Sequence, residues 1–207
     1  MANTAIGGFR WMRDRDGGSH QPIEERPVAS AYGTGIFRGD VVKKVSDGTV
    51  AVCSAGDAAY GVVQSCVRYK DGTGLIRSGS FLPASTSYSG APSISNPQAS
   101  IVAITPVRNQ IFEVDMGTAA ATITAAQSLV GNNCDYATGA GGDTTTGRGT
   151  YYGDNSSTGT ATANIRILEV SPWGMGYSQN DVTAVNWKAL VEFNEGEEPV
   201  PGSATGT

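Results

Sequence analysis

Apolar residues in this chain come in short runs that alternate with polar ones and are cut by glycine, proline and aspartate. That is the period-two pattern of half-buried strands, not the spacing of an amphipathic helix. The runs 41–45 and 49–52 flank Asp47-Gly48, a pair that accepts the positive φ angles of a tight reversal, so 41–53 is predicted to be a hairpin. Asp71-Gly72 repeats the device after the run 62–69, where Val63, Ser65, Val67 and Tyr69 would share one face and Gln64 and Arg68 the other. Further strands are predicted at 75–82, 101–107 and 111–116. In the last, Phe112, Val114 and Met116 alternate with Glu113 and Asp115, the signature of one buried and one wet face, with Asn109 and Gln110 supplying the turn before it. Two strong strands close the series. The segment 164–170 carries Ile165 and Ile167 on one face, and in 185–193 Val185, Trp187, Ala189, Val191 and Phe193 form the cleanest alternation in the chain. Residues 118–130 read both ways, since Ala119-Ala120-Ala121 and Ala125-Ala126 favour helix while Thr122, Ile123 and Thr124 favour strand.

The stretches between these runs define the organisation. Residues 83–97 are rich in Ser, Pro and Gly and read as a surface loop; 139–159 reads as a long exposed excursion interrupted only by Tyr151 and Tyr152. Residues 1–35 show no sustained period and contain Gly7-Gly8, Gly17-Gly18, Pro22 and Pro27 as breakers, so they are expected to form an extended N-terminal arm. Phe9, Trp11 and Met12 lie in that arm and need another surface to cover them: the protein's own domain, a sister subunit or a different protein. The interleaved arginines can pack their stems while placing charge on acidic partners. The clear runs number about eight short strands, which suits a sandwich or barrel with turn-rich connections. The expected fold is therefore all-β, a jelly-roll or β-tulip-like barrel or sandwich at 36–195, preceded by the arm 1–35 and followed by a flexible acidic tail at 196–207.

Composition narrows the class. A length of 207 residues fits one all-β domain, and 16% charged with 39% hydrophobic residues is neither a disordered polyelectrolyte nor a membrane protein. No apolar run approaches the ~20 residues of a spanning helix, and no signal-peptide region opens the chain, so a soluble protein made in the cytosol is expected, with no membrane partner. A net charge of −5 disfavours direct nucleic-acid binding; the one basic cluster is Arg10, Arg13 and Arg15. Cys53, Cys66 and Cys134 are odd in number and widely spaced, matching neither a disulfide framework nor a zinc motif, and are read as small buried apolar groups.

Candidate chemistry is sparse. The single histidine, His20, follows Gly17-Gly18-Ser19 in the arm, where a general base would lack fixed geometry, and no Gly-x-Ser-x-Gly elbow occurs. Asp14-Arg15-Asp16-Gly17 resembles a fragment of a calcium loop, but its glycine comes too early and the later acidic ligands are missing. The run Gly142-Asp143-Thr144-Thr145-Thr146-Gly147-Arg148-Gly149 resembles a phosphate-binding loop, yet Arg148 stands where lysine is required and Gly149 where a hydroxyl is required. Glu192, Glu195, Glu197 and Glu198 mostly belong to the tail and read as solubilising, and Asn155-Ser156-Ser157 fits a glycosylation triplet that has meaning only on secretion. No enzyme activity, cofactor or metal is expected. Trp173, between Pro172 and Gly174, together with Tyr151 and Tyr152, leaves an alternative open: a glycan- or host-surface-binding module of a virion.

Several segments in order resemble one family. Met1-Ala2-Asn3-Thr4-Ala5 with Gly8-Phe9-Arg10, then Ile36-Phe37-Arg38-Gly39-Asp40-Val41-Val42, Gly61-Val62-Val63, Phe112-Glu113-Val114, Val130-Gly131-Asn132-Asn133 and Arg166-Ile167-Leu168-Glu169 are similar to tailed-bacteriophage capsid decoration, or cement, proteins. The resemblance spans nearly the whole chain, although no single piece is a specific motif. It implies an all-β protein on the outer surface of an icosahedral capsid, commonly a homotrimer, that bridges major capsid protein subunits without catalysis. Phe9, Arg10, Trp11, Arg13 and Arg15 are then the residues expected to contact the capsid or a neighbouring subunit.

Overall fold

The structure, a computed structural model, describes residues 3, 5–29, 32–71, 73, 75–84, 100–139, 141–156, 158–159, 163–171 and 180–194. The loop 83–97 and the tail 196–207 expected above lie almost wholly outside the described residues, as does Trp173.

The protein is nearly all β, as its patterning predicts, and one of its sheets closes on itself. β10 (Gln110–Met116), β12 (Tyr151–Asp154), β11 (Asn133–Thr138), β13 (Ile165–Val170) and β14 (Trp187–Phe193) follow one another in space, and β14 returns to pair with β10. β1 (Arg10–Asp14) pairs antiparallel with the first half of β10, Arg10 opposite Glu113 and Trp11 opposite Phe112, on the edge that β12 takes up at Met116. The second sheet runs β2 (Glu24–Pro27), β9 (Ile101–Pro106), β6 (Gly61–Lys70), β4 (Val41–Lys44) and β5 (Val50–Val52), with β7 (Ile76–Gly79) on the far half of β6. β3 (Ile36–Phe37) and β8 (Phe81–Leu82) form a small pair.

Two apolar cores result, and period-two alternation distributes residues between them. Val41 and Val62 pack with the barrel residues Phe112, Met116 and Trp187, whereas their neighbours Val42 and Val63 pack into the core of the second sheet with Ile36, Val50 and Ile104. That sheet is therefore apolar on both faces along β4 and the start of β6, and those segments read as continuous runs. The hairpin predicted at 41–53 forms, with Lys44 opposite Val50 and the turn held by Asp47, whose carboxylate accepts from the backbone N–H and hydroxyl of Thr49.

Four expectations need correction. First, the described part of 1–35 is no free arm: β1 and β2 are strands of the two sheets, so the boundary at 35/36 does not separate an arm from a domain. Alternation failed to reveal this because each strand is short and the covering partner is remote in sequence. Second, β10 has no wet face, since Glu113 is 0% and Asp115 3% exposed; the N-terminal segment and the approach to β14 cover it. Third, β6 carries bulges between Val63 and Ser65 and between Cys66 and Arg68, which reset the alternation and turn Cys66 inward. Fourth, 139–159 is not all excursion. Its turn at 143–148 is mostly exposed, but Tyr151 is buried and β12 completes the barrel between β11 and β10.

The ambiguous segment 118–130 holds one short helix, α1 (Ile123–Gln127), begun by Thr122, whose hydroxyl accepts from Ala125 N at 3.1 Å, with Ala126 turned into the core.

Candidate contact surface

Of the five residues expected to meet a partner, the structure turns Phe9 inward. Its ring is 3% exposed and lies edge-on to Phe112 and Tyr136, with centroids 6.4 and 6.3 Å away, and 5.1 Å from Phe193. Phe9 is therefore a core residue of its own chain, and the surface covering it is the barrel. The chain reaches that position by crossing close over the turn at Gly39: Phe9 N donates to Gly39 O at 2.9 Å. Gly8 and Gly39 both have positive φ, and a Cβ on Gly8 would fall 2.5 Å from Gly39 O, so only glycine fits this crossing.

Arg10 is half-buried and pairs with the fully buried carboxylate of Glu113, which also accepts from Ser171 Oγ at 2.6 Å. Trp11 packs against the barrel core, and its indole N–H donates to the side-chain oxygen of Gln110. Arg10 and Trp11 thus serve chiefly to fasten β1 to β10. Arg13 and Arg15 remain on the surface. The Arg15 guanidinium is 60% exposed and pairs with Glu192 at 2.8 Å, an interaction that solvent screening makes weak. It borders an open groove of about 510 Å³ whose walls include Arg108, Asn109, Gln110 and Phe193. The geometry divides the five residues into an anchor of three and an outward pair of two.

A second exposed feature was not singled out by its sequence pattern. The far half of β6 and β7 make a hairpin in which every residue of β7 is exposed, Ile76 at 68%, and the adjoining Leu75 is 59% exposed. Asp71 shapes the intervening turn by accepting from the Thr73 hydroxyl, pairing with Arg77 and accepting from the backbone N–H groups of Leu75 and Thr73, contacts that hold its carboxyl well below the usual carboxylate range. Leu75 and Ile76 look like core residues in an alternating run; only the sheet topology shows β7 lying off the main path, with no layer of the described residues over it.

Other groups serve structure. Cys53, Cys66 and Cys134 are buried thiols, and burial pushes those of Cys66 and Cys134 up to about 12, away from nucleophilic reactivity. Tyr151, named for glycan stacking, is buried with its hydroxyl donating to Cys53 O, so its ring offers no stacking surface. Asn155 exchanges hydrogen bonds with both backbone groups of Thr118. In the 142–149 loop, Asp143 caps its own turn through Thr145 N and Thr146 Oγ1, and Arg148 donates to Ile6 O, so the loop is a brace for the N-terminal segment. His20 is exposed. Among the described residues no cluster of three or more His, Cys, Asp or Glu is placed to hold a metal ion, and no helix is long and apolar enough to cross a membrane.

No family model, curated protein or solved structure matches this chain.

Proposed function

We propose that this protein is a structural component of a phage virion that binds the outside of the capsid and stabilises it by bridging major capsid protein subunits, as a homotrimer. The observation that carries the proposal is the ordered similarity to decoration proteins along nearly the whole chain, from Gly8-Phe9-Arg10 to Arg166-Ile167-Leu168-Glu169. The geometry is compatible with it in two respects. A closed barrel packed on a second sheet makes a stiff block, and the exposed features described above, Arg13 on β1 with Arg15 in the turn just beyond it and Leu75 with Ile76 at the start of β7, are outward groups of a kind that adds modest contacts. Repeating such contacts by capsid symmetry multiplies their effect against internal pressure.

The test is imaging of intact particles that contain this chain, followed by rebinding of purified protein to shells stripped of it. Density for the barrel on the exterior is expected, and Arg13→Glu with Arg15→Glu, or Leu75→Asp with Ile76→Asp, should lower occupancy while the variants keep native circular dichroism. Location inside the particle or in the tail, or absence from virions, would overturn the reading.

A further inference from the structure

Asp115 and Lys188 face each other directly across the β10–β14 pair, and both are taken almost wholly out of water, their side chains 4% and 3% exposed. Lys188 Nζ stands 3.4 Å from Asp115 Oδ1 and is steered by a hydrogen bond of 2.8 Å to Asn186 O. The two carboxyl oxygens have different surroundings. Oδ2 accepts the backbone N–H of Ile6 at 2.7 Å and of Gly7 at 3.3 Å, whereas Oδ1, buried and turned to the amine, accepts no hydrogen bond of good geometry. A buried ion pair gains little over a neutral one, because the low dielectric penalises both charges. Burial indeed pushes the Asp115 carboxyl up, against the opposing pull of Lys188 and of the two N–H groups.

We infer that Asp115 and Lys188 are the reactants of an intramolecular condensation, forming an isopeptide bond between β10 and β14 with loss of one water. A proton passes from the ammonium to Oδ1, leaving an uncharged amine beside an uncharged acid. The nitrogen lone pair attacks Cγ, and the negative charge that develops on Oδ2 falls between the N–H groups of Ile6 and Gly7, an arrangement that serves as an oxyanion hole. Oδ1 then takes a second proton from the attacking nitrogen and leaves as water, so an N–C bond replaces a C–O bond with no oxidant, reductant or outside reactant. Fixed opposition of the two groups supplies the effective concentration, which for well-oriented intramolecular reactions reaches about 10⁵ M or more. Exclusion of water from the covered face keeps the product from hydrolysing. The N-terminal segment is thereby a positioning element: without Ile6 and Gly7 over Asp115 the oxyanion has no donors.

Mass spectrometry of the denatured full-length protein decides. The intact mass should fall one water below that of the sequence, and a proteolytic digest should yield a branched peptide joining the segments that hold Asp115 and Lys188. Lys188→Arg, which keeps the charge but has no competent amine, should restore the full mass. Three Asp-Gly pairs, at Asp16, Asp47 and Asp71, could also lose water by forming succinimides, so hydroxylamine treatment is included; it opens a succinimide and leaves an isopeptide intact. A full-mass protein, or a water loss mapped to an Asp-Gly site, overturns the inference, and this readout on the unaltered chain stands whether or not the variant folds.

Discussion

At the scale of single residues, the groups that matter most are those whose surroundings contradict their chemical type. Asp40 is 5% exposed, and burial lifts its carboxyl to about 7 despite the hydrogen bond it accepts from Phe37 N at 2.8 Å. The folded protein therefore keeps a proton that the unfolded chain releases near 3.8. This contribution to stability is fully present below that value, falls as pH rises through about 7, and is gone above it. Its size is about 4 kcal/mol, at roughly 1.4 kcal/mol for each pH unit of the interval. Asp40→Asn should match the natural protein in chemical denaturation near pH 4 and exceed its stability near pH 8; a stability difference independent of pH would refute this account. Phe9 offers a second check. Truncating a ring set among Phe112, Tyr136 and Phe193 leaves a cavity, so Phe9→Ala should cost about 3–5 kcal/mol, measured as a shift in urea midpoint. A loss under about 1 kcal/mol would place Phe9 outside the core.

At the scale of elements, β1 decides how the N-terminal region behaves. A short strand with a bulge between Trp11 and Arg13 has too few ladder bonds to hold itself in place, and its fixity comes from what it and the residues just before it insert: Phe9 in the core, Arg10 against Glu113, and the Ile6 and Gly7 N–H groups on Asp115. Removing it would leave the buried carboxylate of Glu113 without Arg10, and breaking a buried ion pair typically costs about 3–5 kcal/mol. Deleting residues 1–14 is therefore expected to abolish cooperative unfolding followed by near-ultraviolet circular dichroism, and not merely to weaken binding to a partner. A truncated chain that melts like the intact one would restore the free arm. Strand alternation could not signal this role, since Phe9 and Arg10 look alike whether they face their own barrel or a neighbour.

At the scale of the whole molecule, two cores share the residues of β4 and β6, with Val41 and Val62 on one side and Val42 and Val63 on the other. Such sharing couples the sheets, so opening either should expose the other. The buried thiols report on this: Cys66 lies in the core of the second sheet, while Cys53 and Cys134 lie in that of the barrel. Under mild denaturant all three should react with a maleimide at one common rate, limited by global opening. Labelling of Cys66 well ahead of Cys134 would show that the second sheet opens alone.

The sequence by itself determined the strand class, the Asp47-Gly48 hairpin, the inward face of β13 and that of β14 from Trp187 onward, though not at Val185, which is exposed and lies before the strand, and the burial of the cysteines. These depend on side-chain period and turn chemistry, which are local. Only the tertiary structure decided that Glu113 and Asp115 are buried, that Phe9 closes its own barrel, that two bulges redirect β6, and that Leu75 and Ile76 face outward. Each depends on which distant segment covers a face or leaves it bare. A strand's alternation states that its two faces differ, and the identity of the layer above them is a property of the assembled sheets.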